Sequence, residues 1–424
     1  MNIKGKAVKK ILAGERYLLL QGPMGPFFTF LAEWLEYHNR EVINVVFNGG
    51  DRFYCKNRRF LTYLLKAREI AGWLDDVQQQ YRFDTIICFG DCRPLHHYAK
   101  QWASENGVRI LVFEEGYLRP QFITLEEGGV NANSSLSRDA NFYLNQPDQL
   151  PLHVLPVESC TKKQYAHAAW YYLNSWYYRK EFLNYQHHKP LSIRYEAGCW
   201  IRSGWRKVIY SLKQRKILAK LQQELDENYF LAILQVYNDS QVTSHSPYND
   251  IRDYIYEVIL SFARHAPLES TLVIKHHPMD RGHRQYHSLI DQLCVQLGIR
   301  GRVMYVHDLP LPDLLNYAKG VVTINSTAGI LALNYNKPLK VMGNALYDIK
   351  GLTFQDSLDK FWSMSELPDM KIFENFLSHL LISTQINSAY YPCLKKPDVG
   401  DAFFRVKDEL KTDKEIRNGL NINL

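Results

Sequence analysis

Short apolar runs recur along the chain, each closed by glycine or a polar cluster, with helix-spaced stretches between them. Residues 16–21 (RYLLLQ) stop at Gly22-Pro23, 41–47 (EVINVVF) at Asn48-Gly49-Gly50, 85–89 (TIICF) at Gly90-Asp91, and 109–114 (RILVFE) at Glu115-Gly116. Residues 27–39, 60–80 and 95–106 between them carry apolar positions at helical spacing. Such alternation predicts strands in a mostly parallel sheet covered by helices. A second series follows the same grammar: strand runs at 230–236, 271–275, 302–306, 320–324 and from 340, with helical patterns over 250–265, 311–318 and 330–335.

The character changes between the two series. Residues 157–225 read as helical and concentrate Trp170, Tyr171, Tyr172, Trp176, Tyr177, Trp200 and Trp205 among Arg179, Lys180, Arg202, Arg206, Lys207, Lys213, Arg215 and Lys216. The pattern therefore predicts four segments: a Rossmann-like domain over 1–156, a helical aromatic and basic insertion over 157–225, a second Rossmann-like domain over 226–351, and C-terminal helices over 352–424 packing across both. The fold class is α/β, with a central cleft expected between the two domains.

The length of 424 residues supports this division, since domains run to about 100–200 residues. Composition is that of a globular protein, 46% hydrophobic and 22% charged, and the formal charge of +7 suits an anionic partner. Nucleic acid is disfavoured because no nucleic-acid-binding motif accompanies that charge. Seven scattered cysteines form no CxxC pair, which favours reduced thiols in a cytoplasm. No run reaches about 18 apolar residues, so membrane contact is expected to be peripheral.

Candidate chemistry sits where the strand runs end, since ligands of open α/β sheets bind beyond the carboxyl ends of strands. Asn325, Ser326 and Thr327 stand between a strand and a helix; they suit a phosphate, or plain helix capping. Lys275, His276, His277 and Pro278 end another strand, where cations would neutralise the same phosphate. Adjacent histidines on a strand point to opposite faces, which argues against a shared metal. Asn238 and Asp239 follow the first strand of the second series, and Asp239 is a candidate nucleophile or a turn-capping residue. In the first domain Glu114 and Glu115 precede Arg119, a pattern that suits a proton donor beside an ionised partner or a surface ion pair. Gly22, Gly25, Asp91 and Arg93 lie in loops after strands. No GxGxxG, GxxxxGK[ST] or DxD pattern is present, so neither a nucleotide cofactor nor a metal is expected.

Seven strings occur in one order: QGPMGPFF (21–28), FGDCRP (89–94), FEEGYLRP (113–120), QVYNDSQVTSHSPY (235–248), KHHPMDRG (275–282), INSTAG (324–329) and ALYDIKGLT (345–353). Together they resemble the capsule-polysaccharide family of KpsS and LipB, β-Kdo transferases related to the modules of KpsC. The resemblance implies a GT-B-like fold whose first domain serves the acceptor. It implies CMP-Kdo as donor, no metal or cofactor, and retention of configuration through a covalent adduct on Asp239. Glu115 matches the cleft acid and would be the general acid or base. Lys275 and His277, with His276, Asn238, Asn325, Ser326 and Thr327, would meet the donor; Gly22, Gly25, Asp91, Arg93 and Arg119 would line the acceptor side. The acceptor would be phosphatidylglycerol or its lyso form on the inner face of the cytoplasmic membrane, met through the aromatic and basic segment. A KpsC-like transferase and the capsule export machinery would be partners. Asn238 and His276 depart from the KpsC branch, which has an acid and a proline there. Two alternatives remain: a transferase using another nucleotide sugar, and a non-catalytic export component.

Overall fold

A computed structural model describes residues 9–147, 157, 159–186 and 193–392. The basic residues 1–8, the stretch around 150, Cys393 and the rest of the C-terminal tail lie outside the described residues, as does the side chain of Arg194. The strands are β1 Arg16–Leu19, β2 Glu41–Val46, β3 Phe60–Thr62, β4 Thr85–Phe89, β5 Arg109–Glu115, β6 Ile123–Glu127, β7 Tyr229–Ile233, β8 Thr271–Lys275, β9 Val303–Val306, β10 Ala318–Thr323, β11 Leu339–Val341 and β12 Gln385–Ile386. They fall into two compact units.

The first unit comprises Met1–Leu136, Gln149–Leu191 and Leu377–Leu424. Its seven strands run in the order β12-β6-β5-β4-β1-β2-β3, parallel from β5 to β3, with β6 and β12 added antiparallel. Both faces of the parallel part are covered, which is why its strands read as unbroken apolar runs. Leu18, Ile86, Ile110 and Val112 pack against the helices Ile70–Tyr81 and Pro94–Glu105, while Leu19, Ile87, Leu111 and Phe113 pack against Phe27–Tyr37.

Three features correct the sequence reading. Residues 60–80 are not one helix, because Phe60–Thr62 pairs with Asn44–Val46 as an edge strand and the helix begins at Ile70. A helix the pattern does not predict, Gly49–Cys55, opens on the two glycines that close the second strand run. The aromatic and basic insertion is also divided. The helix Thr161–Tyr177 belongs to the first unit and settles on those two glycines, where added Cβ atoms would lie 2.2 Å from the Asn174 carbonyl and 2.6 Å from the Tyr171 ring.

The second unit comprises Ser137–Asp148 and Ser192–Phe376. Its five-stranded sheet is wholly parallel, in the order β11-β10-β7-β8-β9. From central β7 the chain winds outward through β8 and β9, then returns to β10 and β11 on the other side. The gap between the carboxyl ends of β7 and β10 is thus the topological switch point, where such sheets bind ligands. The helix Ile193–Lys213 belongs to this unit, and residues after 352 are shared: those to Phe376 stay here, and the chain from Leu377 joins the first unit, where it forms β12. Each unit is thus Rossmann-like by itself, and the chain has the GT-B-like composition of two α/β units. No described helix is long and apolar enough to cross a membrane.

Candidate active site

The loop after β7 carries Asp239, which caps the helix Ser240–His245 by accepting from the Gln241 N–H at 2.9 Å. Its second oxygen meets the Gln235 side-chain amide at 3.3 Å. Gln235 is buried and bridges the switch point: its Nε2 donates to Asn325 Oδ1 and its Oε1 accepts from the Asn325 N–H, both at 3.0 Å. The Asn325 amide in turn donates to the Gln241 and His245 carbonyls. The structure therefore joins Asp239 and Asn325 through Gln235. Asp280, also buried, accepts from the Tyr237 N–H at 2.8 Å and ties down the loop that presents Asn238 and Asp239. Gln235 and Asp280 were not singled out in the sequence; their signal is a polar residue in each of two strand-end strings.

Ser326 and Thr327 follow Asn325. The Ser326 hydroxyl accepts from the Ala328 N–H, and Tyr347 donates to the Ser326 carbonyl. Their own N–H groups donate to no atom among the described residues, leaving two adjacent donors for an oxyanion. Gly329 is required here, since an added Cβ would lie 2.3 Å from the Tyr347 hydroxyl. The helix that starts at Ala328 has only seven residues, so donors and hydroxyls, rather than a long dipole, would hold an anion.

The strand-end cations separate. His277 accepts from the Met279 N–H through Nδ1, which leaves its proton on Nε2. Lys275 is buried, and its Nζ turns toward β9, donating to the His307 carbonyl at 3.2 Å. Burial pulls its pKa down to about 8, and no carboxylate pairs with it among the described residues. His276 corrects its expectation as a donor-binding residue: it is 1% exposed, bonded through Nδ1 to the Tyr305 hydroxyl at 2.7 Å, and kept neutral by burial that lowers its pKa to about 3. It belongs to a buried aromatic cluster with Tyr286 and His307.

In the first unit Glu114 and Glu115 end β5 with side chains on opposite faces of the strand. Burial raises the Glu114 pKa to about 7; the Glu115 N–H bond and the charges of Arg93 and Arg119 oppose the rise, and the Glu115 charge adds to it. Glu114 Oε2 lies 3.2 Å from where a Gly90 Cβ would stand, and Gly90 has φ +70°, so this approach needs glycine. The carboxyl poised near neutrality is thus Glu114, one residue before the acid singled out in the sequence. Glu115 is half-buried, and its charge acts on Tyr390 and Tyr391.

The remaining acceptor-side residues differ in role. Asp91 is 2% exposed and satisfied by Lys100 at 3.0 Å, Asn133 at 2.8 Å and the Val130 N–H, so it braces the fold instead of facing a ligand. Gly22 packs on the Phe28 ring, and Gly25, at φ +145°, packs against Tyr391. Arg119 is exposed and donates to the Gly116 carbonyl. Arg93 is half-buried, donates to Gln21 Oε1 at 2.9 Å and lies over the Phe89 ring. Among the described residues no group of three His, Cys, Asp or Glu side chains is placed to hold a metal ion.

Two α/β units, one with a nucleophile candidate and free N–H donors at its switch point, define the class of two-unit α/β proteins whose ligands bind beyond the carboxyl ends of parallel strands. The chain belongs to the capsule polysaccharide biosynthesis protein family, whose model matches residues 84–391. It is 61% identical to the capsule polysaccharide export protein KpsS of Escherichia coli, over 92% of this chain and 100% of that one. It is 36% identical to the capsule polysaccharide modification protein LipB of Neisseria meningitidis, over 92% and 94%. Among solved structures, the β-Kdo 2,7 transferase of Thermosulfurimonas dismutans KpsC aligns over 89% of this chain and 91% of that one at 15% identity, with a TM-score of 0.40, too distant to bear on chemistry.

Proposed function

We propose that this chain is a retaining β-Kdo transferase that moves Kdo from CMP-Kdo to phosphatidylglycerol or lysophosphatidylglycerol, starting the lipid linker of a capsule polysaccharide. The observation that carries this reading is the Asp239–Gln235–Asn325 constellation beside the free N–H groups of Ser326 and Thr327. Family membership supplies the capsule context.

In the first step the Asp239 carboxylate attacks the sugar's C2, the bond from C2 to the phosphate oxygen breaks, and CMP leaves with the electron pair. Ser326 and Thr327 N–H groups and the His277 Nε2–H would receive the departing phosphate, where oriented donors lower the barrier most. In the second step an acceptor hydroxyl attacks C2, the sugar–Asp239 ester breaks, and the hydroxyl proton passes to a carboxylate acting as general base. Two displacements retain configuration. No step calls for a metal or cofactor.

The acceptor's location motivates a peripheral position on the inner membrane face. The helix Ile193–Lys213 packs one face on its unit through Arg202, Arg206 and Tyr210, which reach the Gly282 and Arg281 carbonyls and the His307 ring. Its opposite face presents Ile201, Trp205, Val208 and Leu212, each 60–77% exposed at helical spacing. Lys207, Lys213, Arg215 and Lys216 flank that stripe, with no acid between residues 197 and 223. An apolar stripe among cations fits an anionic bilayer.

A donor screen tests the chemistry. CMP release from CMP-Kdo, and none from CMP-sialic acid or UDP-sugars, is expected with lysophosphatidylglycerol present; turnover of another donor alone removes the Kdo assignment. The name of the Escherichia coli relative favours a second reading, an export component without turnover, which predicts no release from any donor.

A further inference from the structure

The first unit holds a cavity of about 670 Å³ that includes Arg93 of the acceptor-side residues above, bounded by the loops after β1, β2, β3 and β4 and by residues 183–186. That volume lies within the range of about 300–1,000 Å³ usual for small-molecule sites. Its floor is a built polar network. The Gln21 amide, 6% exposed, donates to Asp51, Tyr171 and Tyr185, and its carbonyl accepts from Arg93. Burial raises the Asp51 pKa to about 6, while bonds from Tyr171, Phe47 and Gln21 oppose the rise.

Arg93 is the informative group. It lines the cavity, its hydrogen bond goes to a neutral amide, and no carboxylate pairs with it among the described residues. A half-buried guanidinium with unused N–H donors is a receptor for a phosphate or carboxylate, which it grips in bidentate fashion. Lys66 and Arg68 add positive charge to the lining, and no acidic side chain lines it. Apolar side chains line it as well: Leu65, Leu95, Tyr98 and Leu183, with Leu183 81% exposed. The Asn184 amide donates to the Leu64 carbonyl at 2.8 Å and ties the two sides of the opening together.

Cations and apolar side chains in one lining select a ligand that carries both an anionic and an apolar part. We propose that this cavity binds the phosphate headgroup and the first part of the acyl chain of an anionic single-phosphate glycerolipid. The phosphate lies against Arg93, and the chain runs along Leu95, Tyr98 and Leu183. This deepens the transferase reading by assigning its lipid acceptor to residues inside one unit.

The test uses the full-length protein and short-chain lysophosphatidylglycerol below its micelle concentration, titrated calorimetrically. Glycerol phosphate, inorganic phosphate and lysophosphatidylcholine are the comparison ligands. Lysophosphatidylglycerol should bind at least tenfold more tightly than each. Leu183→Asp and Arg93→Gln should each weaken it at least tenfold, with CMP binding unchanged as the check on folding. A photoreactive chain should label residues 64–98 or 183–186. Equal binding of all four ligands, wild-type affinity in both variants, or labelling confined to 201–212 overturns the assignment. Binding that both variants weaken, without any Kdo transfer, upholds the cavity and removes the transferase reading; transfer unaffected by both variants does the reverse.

Discussion

Asp239 does two things in this structure, and two substitutions separate them. It caps the helix Ser240–His245 and meets Gln235, and it is the proposed nucleophile. Asp239→Ala removes the oxygen that accepts from the Gln241 N–H, a loss of about 1 kcal/mol for an N-cap. Gln235 keeps its bonds to Asn325, so no buried amide is orphaned and the loss stays near that figure. In a unit of this size about 1 kcal/mol lowers Tm by about 2–4 °C. Asp239→Asn keeps a capping oxygen and should cost only a few tenths of a kcal/mol. Neither variant can form the sugar ester, so both should lose turnover by roughly 10³-fold or more. The assay is CMP release with lysophosphatidylglycerol present, run beside thermal unfolding and CMP titration. Near-wild-type turnover in Asp239→Asn would refute the reasoning and leave Asp239 as a cap alone.

Other expectations follow from the same geometry. Lys275 has a pKa of about 8 in the fold against 10.5 unperturbed, so its charge costs roughly 3 kcal/mol at pH 7. Because the folded protein binds fewer protons between those values, the cost is full below pH 8 and disappears as pH rises toward 10.5. Lys275→Met, after losing the bond to the His307 carbonyl, should gain about 2 kcal/mol in urea unfolding at pH 7 and little at pH 10.5; destabilisation at pH 7 would contradict this. If Glu114 is the general base for the acceptor hydroxyl, kcat/KM should rise as pH rises through about 7, and Glu114→Gln should remove that limb; an unchanged limb assigns it elsewhere. Trp205→Ser combined with Lys213→Glu should lower cosedimentation with phosphatidylglycerol vesicles about tenfold without affecting CMP binding; unchanged sedimentation would exclude that face.

Much of the fold is legible in the sequence because buried parallel strands are unbroken apolar runs that stop at Gly or polar residues, as at Leu20-Gln21-Gly22 and Phe89-Gly90. The exceptions have tertiary causes. Phe60–Thr62 pairs at a sheet edge over three residues, too few to stand out from the pattern that follows. β6 and β12 are held antiparallel by distant partners, which local spacing does not reveal. The helix Gly49–Cys55 is capped by Asn48, and its two glycines, which read as strand-ending residues, admit the close approach of another helix. Within the site, Asp239 stands out as an acid after a strand, but the choice between Glu114 and Glu115 depends on which strand face is sealed. His276 resembles His277 in sequence, and only the Tyr305 and His307 packing separates a buried ring from a strand-end ring. Gln235 is invisible as chemistry because its role is to join two loops far apart in the chain.

The most direct measurement is the mass of the lipid product. The purified chain is incubated with CMP-Kdo and a fluorescent phosphatidylglycerol or lysophosphatidylglycerol in EDTA. A product heavier by Kdo and carrying a β linkage, formed by wild type and absent with Asp239→Asn, is the expected result. Intact lipid and unhydrolysed CMP-Kdo, from protein that still binds CMP, would contradict the transferase reading and leave the export component in its place.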